Sequence, residues 1–432
     1  MMSDLKAKKL LILGGSRISC EIVKKAKDMG IYTLVTDWYS EERSPAKKLA
    51  DKAFMTSTAD VSAVVDLIKK ENVDGVITGF TDSTLAYYAQ ICQQAGLPCY
   101  GTKEQFETLT NKRVYKKLCR DFGVPVIDEY FINENIDTAD LKGIKYPVLV
   151  KPADNSGGRG ISICNNEQEL ITAYKKALSF SESKEILIER YITGKEVTAF
   201  YILQDGNTYL TAMANRHIKH NQSDTIALPV AYTFPSKHLI EYQKNIEPNV
   251  KKMFESLNMK NGMVFMQCIV KEDQCLVYDI GYRLTGTLEY KLLDAVCGYN
   301  PLEMLIRFAL TGQMAKFPLK EKVTPQWDEY GCNVSFLIKP GTIEEIKGID
   351  EILEIPGVID AVLAHTEGDE LPDSAKGTLR QIVLRVFAKT QSENELEKLL
   401  DTIYNKLTVL SSEGENMLLE GFDTEEIRGA LC

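Results

Sequence analysis

The chain has 432 residues, 44% of them hydrophobic and 26% charged, and a net charge of −10. That length suits roughly two to four domains, and the acidic balance argues against nucleic acid as a partner. Ten scattered cysteines without a Cys-x-x-Cys pair point to neither a zinc site nor a disulfide framework and suit a cytoplasmic setting. No leader and no membrane span is expected, because no apolar run approaches the roughly 18 residues that a span needs.

Residues 9–107 alternate strand-like and helix-like runs. Lys9–Leu13 is a short apolar strand ending in Gly14-Gly15-Ser16, and Glu21–Met29 is a helix stopped by Gly30. Tyr32–Thr36 is the next strand, with Asp37 at its end; Val61–Lys70 is helical, Gly75–Thr78 extended, and Thr84–Ala95 a helix closed by Gly96-Leu97-Pro98. This βαβαβ order predicts a Rossmann-like parallel sheet with helices on both faces. Gly14-Gly15 followed by Asp37 partly matches a dinucleotide fingerprint, but Gly14-Gly15-Ser16-Arg17-Ile18-Ser19 lacks the third glycine. A structural turn, or a surface that helps hold a substrate, fits it better.

Asn111-Lys112-Arg113 sits early in a helix that runs to Phe122 and is ended by Gly123-Val124-Pro125. Tyr146–Val150 is strand-like. Lys151-Pro152-Ala153-Asp154-Asn155-Ser156-Gly157-Gly158-Arg159-Gly160 follows, and Ile161–Cys164 returns as a strand. A lysine ending one strand before a glycine-rich loop is the make-up of a phosphate cradle: glycines let backbone N–H groups approach phosphate oxygens, and lysine adds a point charge. No Gly-Lys-Ser/Thr follows and no helix opens, so it is not a Walker A loop; a mobile surface hairpin is the competing reading.

Ile186–Glu189 is a strand running into Arg190-Tyr191-Ile192-Thr193-Gly194-Lys195-Glu196, with a second strand, Val197–Leu203, beyond. Such a crossing exposes backbone groups of the kind an adenine edge requires, and Glu196 suits ribose hydroxyls; a solvated hairpin is the alternative. His217 and His220 have no carboxylate or third histidine nearby in sequence, which disfavours a metal site. His217 is expected near the substrate pocket, and Ser223–Pro235 reads as a substrate loop. Val264–Val270 and Leu276–Tyr282 form a hairpin about residue 273, placing Gln267 opposite or nearly opposite Asp279. Period two then sets Asp279, Gly281 and Arg283 on one face. Two facing oxygen donors suit Mg2+, and Arg283 suits a phosphoryl group or a substrate carboxylate; a solvated edge hairpin is again the alternative. Asn300-Pro301 opens a helix, Leu302–Leu310, stopped by Gly312. The last unit mixes strands (Asn333–Ile338, Gln381–Ala388) with a helix (Asn394–Leu407).

Taken in order, these pieces resemble the ATP-grasp superfamily. The match runs through Thr110-Asn111-Lys112, Tyr146-Pro147-Val148-Leu149-Val150-Lys151-Pro152, the Asn155–Gly160 loop, Glu189-Arg190-Tyr191-Ile192 with Glu196 seven residues on, and Gln267, Asp279 and Arg283. The resemblance implies an α/β and α+β multidomain chain. Its parts are a Rossmann-like domain at 1–107, a central ATP-grasp fold of two α+β subdomains clasping ATP at 108–315 (lid about 125–195), and an α+β domain at 316–432. It implies ATP and Mg2+, with Mn2+ as an alternative metal. Lys112 and Lys151 would contact phosphates, and Ser156, Gly157, Gly158 and Gly160 would form the lid. Glu189, Arg190 and Ile192 would line the adenine, Glu196 would hold ribose, Gln267 and Asp279 would bind metal, and Arg283 would stabilise the transferring phosphoryl group.

The family's last strand usually reads Glu-x-Asn-x-Arg, and here it is Asp279-Ile280-Gly281-Tyr282-Arg283. Glycine at the asparagine position removes a metal-ligand oxygen. This implies a second metal held weakly or through water, and predicts that Gly281→Asn preserves or raises Mg2+-dependent turnover. The shared chemistry is ADP-forming activation of a carboxylate as an acylphosphate that an amine then attacks. Gln267 is similar to the first metal position of carbamoyl-phosphate synthetase. The Val-Glu-His that usually follows the arginine in biotin carboxylases is missing from Leu284–Tyr290. Phe336-Leu337-Ile338-Lys339-Pro340-Gly341 and Ile355-Pro356-Gly357-Val358 resemble L-amino-acid ligases. The expectation is a carboxylate–amine ligase acting on small-molecule acid and amine substrates. A bicarbonate-activating enzyme, a carboxylate ligase acting on a different acid such as a sugar or nucleotide precursor, and a non-catalytic ATP-binding regulatory protein are the alternatives. Homodimers are common for this architecture; neither nucleic acid nor membrane is expected as a partner.

Overall fold

Leu10, Leu11 and Ile12 are fully buried, as a strand covered on both faces by helices must be. They belong to the first strand of a computed structural model that describes residues 4–132, 141–154, 160–219, 228–272 and 274–432. Strands β1 (Lys9–Leu13), β2 (Tyr32–Thr36), β3 (Lys52–Phe54) and β4 (Gly75–Ile77) form a parallel sheet in the order β3-β2-β1-β4. The helices Cys20–Asp28, Val61–Glu71 and Leu85–Ala95 stand within a residue or two of their expected bounds. The edge strand β3 was not foreseen, because its Lys52-Ala53-Phe54 has no apolar run to mark it. The helix Pro301–Thr311, capped by Asn300 and closed by Gly312, returns to this sheet. It lies so close that a Cβ at Gly75 would stand 2.3 Å from the Ala309 carbonyl oxygen.

The middle of the chain contributes two antiparallel sheets. The smaller contains β5 (Glu129–Tyr130), β6 (Val148–Pro152), β7 (Ser162–Cys164) and β8 (Ile186–Arg190) in the order β5-β8-β6-β7. The helix Glu167–Phe180 covers its apolar face through Leu170, Ala173 and Ala177. The larger begins with β9 (Lys195–Gln204), β10 (Asn207–Lys219), β11 (Leu228–Phe234), β12 (Gly262–Lys271) and β13 (Gln274–Gly281).

The C-terminal strands are β14 (Tyr330–Leu337), β15 (Gly341–Lys347), β16 (Val358–Leu363), β17 (Glu370–Leu371), β18 (Ile382–Thr390) and β19 (Thr408–Ser411). Among the described residues three of them extend the large sheet, in the order β13-β12-β9-β10-β11-β14-β18-β16, so it draws strands from both sides of residue 316. One face of this sheet is packed by the helices Leu239–Asn245 and Glu247–Ser256, where Tyr201 bonds Tyr242 at 2.8 Å and meets the Phe254 ring edge-on. Among the described residues no helix is long and apolar enough to cross a membrane.

Candidate functional site

The residues between β8 and β9, Tyr191 to Gly194, carry the chain from the small sheet to the large one. Lys151 and Glu189 stand on one sheet and Glu196, Gln267 and Asp279 on the other. The helix Lys112–Asp121 meets both, through Lys116 with Glu189 and through Lys112 with Asp279. Asn111 caps that helix by accepting from the N–H groups of Arg113 and Val114, and the N–H of Lys112 donates to the Ala153 carbonyl at 3.1 Å. Lys112 is thereby tied to the end of β6, where Lys151 stands.

Glu189 is 1% exposed, and both its oxygens are used. Lys151 Nζ lies 2.8 Å from Oε2, and Lys116 Nζ binds Oε1 and also lies 3.4 Å from Glu129. Burial alone would raise the Glu189 carboxyl; Lys151 and Lys116 outweigh it and hold the group below its ordinary value of 4.5. Burial also pulls Lys116 below its ordinary 10.5, against the attraction of Glu189. Lys116 went unremarked in the sequence, although it stands four residues from Lys112 on one helix face.

On the larger sheet Gln267 and Asp279 are direct partners across β12 and β13, as the hairpin symmetry predicts. Lys112 Nζ is 3.8 Å from Asp279 Oδ1. One carboxylate and one amide oxygen suit Mg2+, which keeps water and phosphate for its other positions. Among the described residues no group of three or more His, Cys, Asp or Glu side chains is placed to hold a metal. The register shifts beside Gln267 and lets Tyr278 reach Glu196 at 2.6 Å. Arg216 also binds Glu196, and its Nε donates to the Tyr232 hydroxyl at 3.0 Å. Of the expected adenine residues, Arg190 is exposed and its N–H donates to the Asp128 carbonyl, while Ile192 is buried.

Arg283 reaches across to the N-terminal unit. Its Nε and a terminal nitrogen donate to the two oxygens of Asp82 at 2.6 and 2.8 Å, and its guanidinium stands 5.1 Å from the Phe265 ring centre. Burial would raise Asp82; Arg283 overrides it, and the carboxyl sits below its ordinary 3.8. Asp82 was missed as well. Its signal was position: it follows β4, and open parallel sheets bind ligands beyond the carboxyl ends of their strands.

Some expectations fail. Gly281 is not an empty ligand position, since a Cβ there would lie 2.1 Å from a Phe265 ring carbon. His217, expected near the substrate pocket, is buried between β11 and the C-terminal segment. Its Nδ1 pairs with Glu426 at 3.0 Å, its Nε2 with Thr233 at 2.9 Å, and its ring packs on Phe422. By contrast, Asp37 accepts from the Gly15 N–H and pairs with the ammonium of Lys47, both at 2.8 Å, in keeping with the structural turn expected at the glycine pair. Leu228–Phe234, within the Ser223–Pro235 segment read as a loop, is strand β11. Gly160 is buried against Pro152 and Phe180. Ser156, Gly157, Gly158 and His220 lie outside the described residues.

Residues 111–316 match the family model for the carbamoyl-phosphate synthase L chain, ATP binding domain. The 2-oxoglutarate carboxylase small subunit of Hydrogenobacter thermophilus is 30% identical over 302 residues, 66% of this chain and 58% of its own length. The biotin carboxylase domain dimer of that carboxylase, solved with MgADP, ADP and bicarbonate, superposes with a TM-score of 0.75 at 20% identity, covering 95% of this chain and 91% of its own. The formate-dependent phosphoribosylglycinamide formyltransferase of Sulfurisphaera tokodaii is 26% identical over 82% of this chain and 87% of its own. The L-amino acid ligase of Bacillus licheniformis superposes with a TM-score of 0.75 at 18% identity, over 94% of this chain and 99% of that one. The chain thus spans little more than half of the carboxylase subunit and most of the other two.

Proposed function

We propose that this chain, an ATP-grasp protein by fold, is an ATP-dependent carboxylate–amine ligase that activates a small carboxylate, by preference an amino acid, and releases ADP and phosphate. One observation carries the reading. Three cations, Lys151, Lys112 and Arg283, are held by Glu189, Asp279 and Asp82, carboxylates of three different sheets or loops. Phosphate oxygens compete for such cations with the same charge-assisted geometry, so nucleotide enters a cluster already aimed at it.

Lys151 and Lys112 then supply point charges to the phosphate chain. Gln267 and Asp279 would hold Mg2+, which when bound would supply charge neutralisation for the phosphates. Arg283 exchanges Asp82 for the transferring phosphoryl group, which its planar fork can grip at two oxygens. Positioning and charge neutralisation of this kind account for the catalysis of phosphoryl transfer without covalent help from the protein. The acylphosphate is then open to an amine, with phosphate as the leaving group.

The 30% identity to a carboxylase subunit favours a second reading, in which bicarbonate is the activated acid. Phosphate release with ATP and Mg2+ tests both, across amino acids singly and in pairs, with and without bicarbonate. ADP formed only with an acid and an amine together supports the ligase. Release that needs bicarbonate alone transfers the assignment. ATP binding without turnover across the panel overturns both and leaves a non-catalytic ATP-binding role.

A further inference from the structure

Residues paired across an antiparallel ladder point to the same side of the sheet. In the large sheet Glu196 pairs with Arg216, Arg216 with Tyr232 and Tyr232 with Asn333. Two residues beyond Asn333, Ser335 pairs with Arg385 of β18. Thr198 pairs with Gln267, and Gln267 with Asp279. Arg385 therefore sits on the C-terminal strands but on the same face as the metal hairpin and Glu196.

Arg385 differs from the other arginines of this face. Arg216 is bound to Glu196, and Arg283 to Asp82. Among the described residues Arg385 forms no ion pair, and its Nε is buried with no acceptor. Burial pulls its pKa down to about 10. Asn333, 1% exposed, donates its amide N–H to the Thr287 carbonyl, which leaves its Oδ1 buried without a donor. A desolvated donor and a desolvated acceptor left open on adjoining positions cost stability that apolar side chains there would not.

Three segments border this pair. Thr287 follows Arg283 by four residues. Beside it, Gly286 lies against Ile18 of the segment after β1. Arg17 of the same segment pairs with Asp369 at 2.9 Å, in the loop after β16, and Val362 of β16 is the cross-strand partner of Arg385. The end of β1, the segment after Arg283 and the strand bearing Arg385 thus lie together, at the carboxyl end of the parallel sheet where ligands of such sheets bind.

We propose that Arg385 and Asn333 form a distal subsite for the acid substrate: the guanidinium binds a second anionic group, carboxylate or phosphate, and Asn333 Oδ1 accepts from a neighbouring ammonium or hydroxyl. The proposal takes the identity of the acid site from the ligase reading, but anion binding at Arg385 stands without it. The reacting carboxyl is at the Arg283 end, so the preferred acid carries two separated anionic groups.

Thermal unfolding with malonate, and separately with inorganic phosphate, each against sodium chloride at equal ionic strength, tests the subsite without turnover. The wild type is expected to shift upward with at least one anion, malonate marking a carboxylate and phosphate a phosphoryl group. The shift persists in Lys151→Ala and is lost in Arg385→Met. Arg385→Met by itself leaves the midpoint unchanged or raised, because it removes an unpaired desolvated charge. No shift in the wild type, the same shift in Arg385→Met, or a lowered midpoint of that variant without anions overturns the proposal. In turnover, Arg385→Met raises KM for a dicarboxylic or phosphorylated acid by about 10- to 100-fold and leaves KM for ATP unchanged. An intact anion shift without ADP formation sinks the ligase reading and spares the subsite; ADP formation without an anion shift does the reverse.

Discussion

Phe265 and Gly281 face each other across the β12–β13 ladder, and the Phe265 ring fills the volume in which a side chain at position 281 would stand. The same ring supports the Arg283 guanidinium. Glycine at position 281, where the resemblance expects asparagine, is therefore coupled to packing: the Phe265 ring that supports Arg283 takes the space a side chain there would need.

Gly281→Asn is accordingly expected to impair the protein, reversing what the motif comparison suggests. Overpacking of this kind costs about 1–3 kcal/mol, and the displaced ring moves Arg283. Denaturation midpoints and Mg2+-dependent ADP release should both fall. Phe265→Ala in the Gly281→Asn background should recover the midpoint; recovery without the second substitution would contradict the steric account.

Lys151 and Lys116 share Glu189 but should behave differently. Lys151→Ala is expected to stay folded, since Lys116 still neutralises Glu189, and to raise KM for ATP by about tenfold or more. Lys116→Met leaves buried Glu189 short of a partner, a loss of about 3–5 kcal/mol. Chemical denaturation and ATP titration of the two variants separate the roles. Equal destabilisation would mean that both lysines are structural.

Acid should unfold the protein through this site. Asp82 and Glu189 sit below their ordinary values of 3.8 and 4.5 when folded. Their contribution to stability is complete above those values and is lost as pH falls through the lower folded ones. Melting midpoints between about pH 6 and pH 3 should be level at first and then decline. Asp82→Asn should flatten part of that decline, and an unchanged slope would discard the Asp82 share.

His217→Ala should act on stability alone. It loses two hydrogen bonds and a ring contact with the C-terminal segment, worth about 1–3 kcal/mol together. KM for ATP and for the acid should not move. A change in either would return His217 to the substrate pocket.

Much of this was legible before any coordinates. Periodicity located the parallel strands and their helices, because buried parallel strands are continuous apolar runs. The symmetry of one hairpin paired Gln267 with Asp279, because side-chain alternation in strands is strict. What stayed hidden was long-range. The partner of Arg283 is 201 residues away in Asp82, and Lys116 meets Glu189 across 73.

By itself the sequence determined the local matters: which segments form strands and helices, where the lysines and acidic residues fall, and which motifs they make up. These follow from patterns a few residues long. The tertiary structure alone decided which cation meets which carboxylate, that Phe265 occupies the space beside Gly281, that His217 meets the C-terminal segment, and that Arg385 shares a face with Gln267 and Asp279. Each depends on the register of strands distant in the chain. Burying side chains from both at once sets that register, and no local pattern encodes it.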